Sequence, residues 1–407
     1  MPERLTPEQS YALVSKYGSP LYVYDETLVR ERCREISGLV SLPFFAANYS
    51  AKANTNIELL KIIRSEGLRV DAMSPGEILA ETAAGFQPDE IFFIPNNVSI
   101  EELRFAAERG IMTSLDSLSQ LEQYGKARLP RRVAFRLNPG VGAGHSDKVV
   151  TGGKSKFGIE TKDVRRVQEL AARYGLSIAG INQHIGSLFL QSNEYLQAAA
   201  TLFEIAAGFP ELAFLDMGGG FGVPYHGEAR LDLEELGQKL TRVIQDFISK
   251  YGREITIMVE PGRYICAESG TLLGTVHSVK ENYGETYVGT DIGFNTLMRP
   301  VLYDSWHEIR FFTASTERRR LTITGNICES GDVLARDREL PLPAPGDLVC
   351  IANTGAYGYS MASNYNLRLR PAEVLIDLSG QDRLIRHRDT YQALMRNMLD
   401  EALYLCQ

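Results

Sequence analysis

Residues 44–56 read FFAANYSAKANTN, and this stretch decides how the rest of the sequence is interpreted. An apolar, aromatic run ends abruptly at Ser50 and is followed by Lys52 between two alanines. Beyond it, apolar residues recur on one side of a segment that begins at Ile57. The pattern predicts a strand, a turn and a helix. Lys52 would then stand at the C-terminal end of a strand with room beside its amine for a bulky group, although a lone loop lysine is usually only solvated.

The composition is that of an ordinary globular protein. The chain has 407 residues, of which 44% are hydrophobic and 23% charged, and its net charge is −8. This length predicts two or three domains, and the negative charge disfavours nucleic acid as a partner. The charged N-terminus lacks the apolar segment of a signal peptide, and no run of about 18 apolar residues predicts a membrane span.

The cysteines exclude two further classes of site. They are odd in number and none is spaced as CxxC, so we expect neither a disulfide framework nor a metal site. A reducing, cytoplasmic compartment fits such a sequence best. The cysteines are Cys33, Cys266, Cys328, Cys350 and Cys406.

Strand-like and helix-like segments alternate regularly between residues 44 and 260. Eight strands alternating with helices are typical of a closed parallel (β/α)8 barrel, the TIM barrel. A doubly wound open sheet is the competing architecture, and the count of eight favours the barrel. The predicted strands cover residues 44–49, 68–71, 91–94, 112–115, 132–137, 177–183, 213–217 and 256–260.

After residue 267 the pattern changes to short alternating runs separated by Gly, Pro and charged residues. This predicts an all-β domain, a barrel or sandwich, and we expect the strand at residues 20–24 to pair with it. The chain is therefore divided into a barrel domain at 28–266 and a β domain formed by 1–27 together with 267–407. A terminal helix is predicted at 390–405. The β runs are 271–279, 286–291, 307–313, 320–325 and 348–353.

The ends of the predicted barrel strands carry the polar residues. In a (β/α)8 barrel the chemistry lies at the C-terminal ends of the strands, so these side chains would converge at one mouth. A loop glycine run or a core histidine can also be purely structural, so the argument depends on the whole set. The set is Lys52, Asp71, Arg136, Asn138, His184, Gly218, Gly219, Gly220, Glu260, Gly262 and Arg263.

Two glycine-containing loops indicate a phosphate site beside Lys52. The run Gly218–Gly220 and the segment Pro261-Gly262-Arg263 follow the last two barrel strands, where such barrels bind phosphate. A phosphate beside a lysine suggests pyridoxal phosphate, which needs a lysine for a Schiff base and an acid for its ring nitrogen. Glu260 can be that acid, since a carboxylate–pyridinium pair about 4 Å apart gains roughly 4 kcal/mol.

Seven motifs, in order along the chain, resemble those of the fold-type III pyridoxal-phosphate-dependent amino-acid decarboxylases, a family whose barrel is alanine-racemase-like. Within it the sequence is most similar to the diaminopimelate decarboxylases. The resemblance extends from Tyr22 to Arg386. The motifs are AKAN at 51–54, HIGS at 184–187, GGGFGVPY at 218–225, EPGR at 260–263, GFNTLMRP at 293–300, CESGD at 328–332 and GAYGYSMASNYN at 355–366.

The resemblance implies a role for each matched residue. Lys52 would form the Schiff base, Glu260 would bind the ring nitrogen, His184 would stack on the ring and Cys328 would donate a proton. The remaining cofactor-binding residues implied are Asp71, Arg136, Ser187, Gly219, Gly220, Gly262, Arg263 and Tyr357. The implied substrate contacts are Arg263, Arg299, Tyr303, Glu329 and Tyr357.

The resemblance also implies a homodimer with shared active sites. In the family, the residues matching Cys328 and Glu329 are contributed by the β domain of the other subunit. The implied reaction is decarboxylation of meso-2,6-diaminopimelate to L-lysine and CO2, the last step of lysine biosynthesis. Arg299 suits a distal carboxylate and Glu329 suits an ammonium. The Gly-rich segment 142–158, which includes His145 and Ser146, resembles a mobile loop over the site.

Three alternatives stay open at this point. The first is a decarboxylase of L- or D-lysine or ornithine, substrates that lack the distal carboxylate that Arg299 would bind. The second is a racemase-like enzyme, which Glu260 disfavours, and the third is a non-catalytic relative. The family often reads HxHIGSQ where this chain has Asn182-Gln183-His184-Ile185-Gly186-Ser187-Leu188. The departures at Asn182 and Leu188 make the distal specificity less certain than the cofactor chemistry.

Overall fold

A computed structural model describes residues 5–144, 148, 150–396 and 398 of the chain. The chain forms two compact units. The first, which we call the barrel unit, comprises Val29–Pro224 and Ala229–Ile265. The second, the β unit, comprises Met1–Leu28, Tyr225–Glu228 and Cys266–Gln407.

The strands and helices follow one another along the described chain in this order. The strands are β1 (Leu21–Asp25), β2 (Phe45–Ser50), β3 (Arg69–Ala72), β4 (Ile91–Phe93), β5 (Met112–Leu115), β6 (Arg132–Asn138), β7 (Ala143–Gly144), β8 (Ile159–Glu160), β9 (Ser177–Gln183), β10 (Gly186–Ser187), β11 (Phe214–Gly219), β12 (Thr256–Glu260), β13 (Gly270–Asn282), β14 (Glu285–Thr290), β15 (Ile309–Phe312), β16 (Arg318–Thr324), β17 (Val333–Pro341), β18 (Leu348–Ile351), β19 (Ala372–Ile376) and β20 (Asp382–Arg386). The helices are α1 (Pro7–Tyr17), α2 (Glu26–Ser37), α3 (Ile57–Ser65), α4 (Pro75–Ala83), α5 (Ile100–Ala107), α6 (Leu118–Lys126), α7 (Val164–Tyr174), α8 (Asn193–Ala206), α9 (Leu233–Tyr251), α10 (Arg263–Cys266), α11 (Arg299–Tyr303) and α12 (Tyr391–Met395).

Eight parallel strands close the barrel. Their order is β2, β3, β4, β5, β6, β9, β11 and β12, and β12 pairs with β2 to complete the ring. The barrel predicted from the alternation is therefore confirmed, and the open doubly wound sheet is wrong. Because all eight strands run the same way, their C-terminal ends meet at one rim.

The barrel helices begin at capping residues that the sequence supplies. The side chains of Asn56, Ser74 and Ser99 each accept a backbone N–H in the first turn of α3, α4 and α5. Such caps satisfy backbone donors that the helix leaves unpaired. Inside the barrel, the ring of Phe214 takes up the space beside Gly180, where an added Cβ would lie 2.1 Å from the ring. Capped helices outside and close packing inside fix where each strand ends.

The β unit contains a mixed sheet with the N-terminal strand near its middle. Its order is β17, β16, β14, β13, β1, β19 and β20, and β18 and β15 branch from β13. Strand β1 pairs antiparallel with β13 and parallel with β19. The strand predicted at 20–24 thus pairs with strands from the C-terminal part of the chain.

Two sequence expectations need comment. The sequence pattern did not predict β17, β19 and β20 of the β unit, because charged residues interrupt the apolar runs of all three strands. The helix expected at 390–405 is described as Tyr391–Met395, and most of the remaining residues, Cys406 included, lie outside the described chain. Within the described residues, no helix has the length and hydropathy needed to cross a membrane.

Candidate active site

Lys52 lies in a single 3-10 turn, Ala51–Ala53, directly after β2. Both alanines are fully buried, whereas Lys52 is partly exposed. The turn lies against the loop after β12, since the backbone N–H of Ser50 donates to the carbonyl oxygen of Pro261 at 3.0 Å. A Cβ on Gly262 would lie 2.9 Å from Cβ of Ser50, so only glycine fits there. Small residues on both sides therefore bring the two loops together at the rim.

Asp71, at the end of β3, is the first buried carboxyl beside Lys52. The hydroxyl of Ser50 donates to Asp71 Oδ2 at 2.6 Å, and Oδ1 has no hydrogen-bond partner among the described residues. Burial raises the pKa of Asp71 to about 6, and the positive charges of Lys52 and Arg136 act against that rise. Asp71 is thus an anchor for the turn and a charge partner for the lysine.

Glu260, at the end of β12, and Asp216, inside the neighbouring strand β11, form a buried carboxyl pair. Asp216 accepts from Gly218 N–H at 2.9 Å and from Asn48 Nδ2 at 3.3 Å, and burial raises its pKa to about 7. Burial first, then the charge of Asp216, raises the pKa of Glu260 well above its ordinary value, while Lys52 acts against the rise. Glu260 Oε1 is buried without a hydrogen-bond partner in the described chain. The pair therefore keeps at least one proton near neutral pH.

Arg136 places a buried cation among these acids. It is 6% exposed, its Nε lies 3.9 Å from Asp116 Oδ1, and its Cζ lies 4.5 Å from the ring centroid of Phe157. Burial lowers the pKa of Arg136, and the charges of Asp116, Glu260 and Asp71 oppose that effect. A guanidinium stays charged under such shifts, so Arg136 offsets part of the negative charge in the barrel.

His184, directly after β9, has its ring fixed by the glycine loop. The backbone N–H of Gly219 donates to His184 Nδ1 at 3.1 Å, so the ring proton lies on Nε2. Desolvation, together with the charges of Lys52 and Arg136, lowers the pKa of His184 well below its ordinary value. His184 is therefore a neutral imidazole whose orientation is set by the neighbouring strand end.

The glycine run after β11 exists because its backbone touches other backbones. A Cβ on Gly219 would lie 1.8 Å from the carbonyl oxygen of Glu260, and one on Gly218 would lie 2.2 Å from that of Gln183. Gly218 and Gly220 also have φ values of 75° and 106°, which disfavour side chains. The run thus joins the ends of β9, β11 and β12 through close backbone contacts.

Ser187 and Arg263 meet at the same rim. Arg263 donates to Ser187 Oγ from Nε at 3.2 Å and from Nη2 at 2.9 Å. Arg263 is 5% exposed and opens the short helix α10, whereas Ser187 belongs to the short strand β10. A guanidinium and a hydroxyl beside a glycine loop form a set of donors that suits a phosphate.

The Gly-rich segment 142–158 is held at its base by Asn138. The Asn138 side chain donates to the carbonyl oxygens of Gly153 and Phe157 and accepts the N–H of Gly153 at 2.8 Å. Thr151 Oγ1 donates to the carbonyl oxygen of His184 at 2.7 Å, which links the segment to the strand end. His145 and Ser146 of the proposed loop lie outside the described residues.

The remaining predicted residues lie in the β unit. Cys328 and Glu329 are exposed in the connection between β16 and β17. The backbone N–H of Cys328 donates to Asn366 Oδ1 at 3.0 Å, and the hydroxyl of Tyr365 donates to Glu329. Both partners belong to the segment GAYGYSMASNYN, so the structure brings two of the quoted motifs together.

Arg299, Tyr303 and Tyr357 stand elsewhere in the β unit. Arg299 begins α11 and is 1% exposed, and Tyr303 ends the same helix and is partly exposed. Tyr357 is also partly exposed and has a φ of 56°, an uncommon conformation for a tyrosine. Strained residues of this kind are frequent at functional sites.

Sequence reasoning missed two groups that shape the site. Asp216 and its partner Asn48 sit inside apolar strands, and a polar residue at such a position was the available signal. Asp332 accepts the backbone N–H groups of Phe294 and Ile327, each at 2.7 Å, and so fixes the loop that carries Cys328. The burial of Asp332 could not be inferred from the motif CESGD alone.

The two departures from the family pattern have separate structural settings. Asn182 is fully buried in β9, and its Oδ1 accepts from Ser114 Oγ at 2.6 Å. Leu188 has a φ of 68°, which disfavours a branched side chain. Asn182 is accommodated by a hydrogen bond inside the barrel, whereas Leu188 is a strained residue next to Ser187.

Comparison with known proteins gives a consistent match. Residues 27–267 match the family described as "Pyridoxal-dependent decarboxylase, pyridoxal binding domain". The chain is 42% identical to a diaminopimelate decarboxylase of Methanothermobacter thermautotrophicus, covering 94% of this chain and 92% of the relative. It is 36% identical to that of Escherichia coli, covering 96% of each.

A solved structure extends the match to three dimensions. The crystal structure of a diaminopimelate decarboxylase from Helicobacter pylori complexed with L-lysine superimposes with a TM-score of 0.87. It is 31% identical and covers 95% of this chain and 98% of that one. The similarity therefore includes both the barrel and the β unit.

Proposed function

The chain belongs to the diaminopimelate decarboxylase family of pyridoxal-dependent decarboxylases, and we propose that it converts meso-2,6-diaminopimelate to L-lysine and CO2 with pyridoxal phosphate as cofactor. One observation carries the proposal beyond the similarity. Lys52, His184, Glu260 and the pair Ser187–Arg263 all stand at one rim of one barrel. An amine, a flat neutral ring, a buried acid and a phosphate-sized donor set are what this cofactor needs.

The residues at the rim fit the cofactor by their chemistry. Glu260 Oε1 is buried without a hydrogen-bond partner in the described chain, which suits a ring nitrogen as its partner. Arg263 and Ser187 would hold the phosphate together with the backbone of Gly219 and Gly220. When bound through its aldehyde, pyridoxal phosphate supplies an electron-withdrawing ring that accepts the electron pair left behind when CO2 departs.

We propose that Lys52 is the residue that would hold the cofactor through its aldehyde. Its Nζ must lose a proton to act as a nucleophile, and Asp71 is a buried carboxyl whose pKa responds to the charge of Lys52. The raised pKa of Asp71, about 6, matches a group that can share a proton with the lysine near neutral pH. Ser50 holds that carboxyl in place through its 2.6 Å hydrogen bond.

Glu260 and His184 would control the two sides of the ring. A carboxyl whose pKa lies well above its ordinary value already holds a proton, so Glu260 can share it with a ring nitrogen. Neutral His184 would lie against one face without adding charge, and Gly219 keeps its ring in one orientation. Glu260 would thus set the charge of the cofactor ring, and His184 would set its position.

We also propose that the active site is completed by a second subunit. Cys328 and Glu329 are exposed on the β unit, and the thiol of Cys328 is a group that can act as a general acid. In a homodimer, the β unit of one subunit would supply these two residues to the barrel of its partner. Exposure of both side chains supports such a role, because a residue that serves another subunit must face outward.

Substrate choice follows from charge. Arg299 and Glu329 would bind the carboxylate and the ammonium at the far end of meso-diaminopimelate. Lysine and ornithine as substrates would leave the guanidinium of Arg299 without an anion. A site built to bind a group rejects an analogue that lacks it, because the buried partner stays unpaired. The arginine therefore favours the diaminopimelate reaction over those of the smaller diamino acids.

The cysteines support a reducing compartment, and we propose the cytoplasm. None of the four cysteines within the described chain forms a disulfide bond. Three of them, Cys33, Cys266 and Cys350, are buried in the two units. Cysteines without disulfide bonds are typical of a reducing environment.

The test is CO2 release by the purified holoenzyme from meso-diaminopimelate, lysine and ornithine, the last two in both enantiomeric forms. We expect kcat/KM for meso-diaminopimelate to exceed every other value by at least about a hundredfold. Lys52→Ala should lose at least about a thousandfold in kcat, whereas Lys61→Ala, on the exposed side of α3, should not. Faster release from lysine or ornithine would support the rival function, and none from any compound would indicate a non-catalytic relative.

A further inference from the structure

In the β unit, the guanidinium of Arg299 contacts three neutral side chains, those of His307, Ser305 and Tyr225. Arg299 Nη1 lies 2.7 Å from His307 Nε2, and Nη2 donates to Ser305 Oγ at 3.4 Å. Its Cζ lies 4.6 Å from the ring centroid of Tyr225. The rings of Tyr225 and His307 meet edge to face with centroids 5.3 Å apart. The guanidinium is thus held on one side by an imidazole and on another by an aromatic face.

The protonation of His307 follows from its partners. His307 Nδ1 lies 2.9 Å from the carbonyl oxygen of Ala352, which can only accept, so Nδ1 carries the hydrogen. Arg299 can only donate, so Nε2 of His307 must accept. His307 is therefore the neutral Nδ1–H tautomer. A neutral acceptor fixes the direction of a guanidinium and leaves its positive charge in place, whereas a carboxylate would neutralise that charge.

The segment that supplies Tyr225 strengthens this interpretation. Tyr225–Glu228 belongs to the β unit although the residues on both sides of it belong to the barrel unit. The backbone N–H groups of Tyr225 and His226 both donate to Glu228 Oε2, at 2.9 and 2.6 Å, which closes the segment into a tight turn. The ring of His226 stacks on that of Trp306, the residue before His307. Tyr225 therefore lies against Arg299 and His307, and its neighbour His226 lies against Trp306.

We propose that His307 is a positioning residue for substrate specificity: together with Tyr225 it holds the guanidinium of Arg299 in the orientation that binds the distal carboxylate of the substrate. This rests on the proposed function, in which Arg299 binds that carboxylate. Arg299 is 1% exposed and His307 2% exposed, so the surrounding side chains restrict the orientation of the guanidinium. That orientation determines whether a carboxylate can accept two parallel hydrogen bonds from it.

The kinetic consequence is a loss confined to ligands that carry the distal carboxylate. L-Lysine, the proposed product, retains that carboxylate, whereas 1,5-diaminopentane has the same carbon chain and both amines but no carboxylate. In His307→Leu we expect KM for meso-diaminopimelate and Ki for L-lysine to rise about tenfold, the loss of one oriented charge-assisted hydrogen bond. The Ki for 1,5-diaminopentane and kcat should each change by less than about threefold.

The experiment compares the wild-type holoenzyme with His307→Leu, His307→Gln and the exposed control His277→Ala, whose side chain is 64% exposed. His307→Gln offers an amide oxygen to Arg299, so it should recover part of the loss. In an Arg299→Met background, His307→Leu should add no further rise in KM, because its effect passes through the arginine. If His307→Leu does not fold, Tyr225→Leu must give the same pattern.

Three outcomes would overturn the proposal. They are equal rises in both Ki values, an additive effect in the Arg299→Met background, and a fall in kcat with KM unchanged. Turnover of meso-diaminopimelate by the wild type separates these results from failure of the proposed function. If the wild type does not act on that substrate, the reaction assignment is wrong. If it does and the ratio of the two Ki values is unaffected by His307→Leu, the positioning role alone is wrong.

Discussion

Glu81 on α4 is a fully buried carboxyl whose two oxygens have no hydrogen-bond partner among the described residues. Burial first, and then the nearby charges of Asp71 and Glu77, raise the pKa of Glu81 to about 9. Glu81 is therefore neutral in the folded protein near pH 7. We predict that Glu81→Gln stabilises the protein at neutral and alkaline pH, because the amide has nearly the same shape and needs no proton on folding.

The magnitude follows from the two pKa values. The pKa of Glu81 is 4.5 when unperturbed and about 9 in the fold, so folding takes up one proton between these values. Stability therefore falls by about 1.4 kcal/mol for each pH unit across this window and is fully present only below it. At pH 7 the wild type has lost about 3 kcal/mol, which the variant recovers. For a unit of this size, that corresponds to a rise of about 6–12 °C in Tm.

The assay is thermal and urea unfolding of the holoenzyme at pH 5 and pH 8. We expect the Tm difference between Glu81→Gln and wild type to be small at pH 5 and large at pH 8, because the carboxyl is ionised in the unfolded wild type but protonated in the fold, and binding that proton costs more as the pH rises. Glu101→Gln, on the exposed side of α5, is the matched control and should show no such pH dependence. Because Glu81 is neutral in the fold, kcat/KM should be unchanged.

Two results would refute the reasoning. A Tm difference of the same size at both pH values would mean that the substitution acts through packing and not through ionisation. A loss of stability at pH 8 would mean that Glu81 is charged and paired in the folded protein. Either result would also weaken the argument for protonated carboxyls elsewhere in the barrel, since it rests on the same desolvation.

The remaining predictions concern the rim and the dimer. Gly219→Ala should lose the cofactor absorbance and lower Tm, because its Cβ would lie 1.8 Å from the carbonyl oxygen of Glu260; Gly76→Ala, whose Cβ would meet only Ser74 Oγ at 3.6 Å, is the control. Arg263→Ala should weaken pyridoxal phosphate binding about tenfold or more, measured by equilibrium dialysis, since it removes a charged donor; unchanged affinity would remove Arg263 from the phosphate site. Mixing Lys52→Ala and Cys328→Ala chains should restore part of the wild-type activity in heterodimers, and complete inactivity of the mixture would contradict a site shared between subunits.

The barrel could be predicted because each strand end carries its own local signal. The strand that precedes Lys52 was placed one residue too early, and the strands at 112–115, 177–183 and 256–260 match the structure to the residue. Apolar runs and glycine loops define such boundaries without reference to distant parts of the chain. In the β unit, β17 pairs with β16 through a segment rich in charged residues. Its strand character depends on a partner and not on its own pattern.

The candidate site could be predicted in outline and not in its electrostatics. The motifs point to Lys52 and Glu260 as candidate residues, but they do not reveal that Asp216 lies inside the same barrel. Asn48 lies in β2 and Asp216 in β11, the two strands that flank β12, and Asn48 Nδ2 lies 3.3 Å from Asp216 Oδ2. The two side chains meet because the closed barrel turns both of them inward. Sequence spacing contains no information on such a contact. The raised pKa values at the rim are therefore products of the closed fold, not of any motif.

The balance of charge inside the barrel explains why one interior can favour this cofactor. Desolvation penalises the charged forms of Asp71, Asp216 and Glu260, and Lys52 and Arg136 are the cations that act against it at Asp71 and Glu260. Asp116 beside Arg136 adds a fourth carboxyl, so the buried acids outnumber the two cations. A protonated ring nitrogen beside Glu260 would add a positive charge there, at a contact worth roughly 4 kcal/mol at about 4 Å. The fold thus favours a protonated ring over a neutral one. The protonated ring is the form that withdraws electrons most strongly.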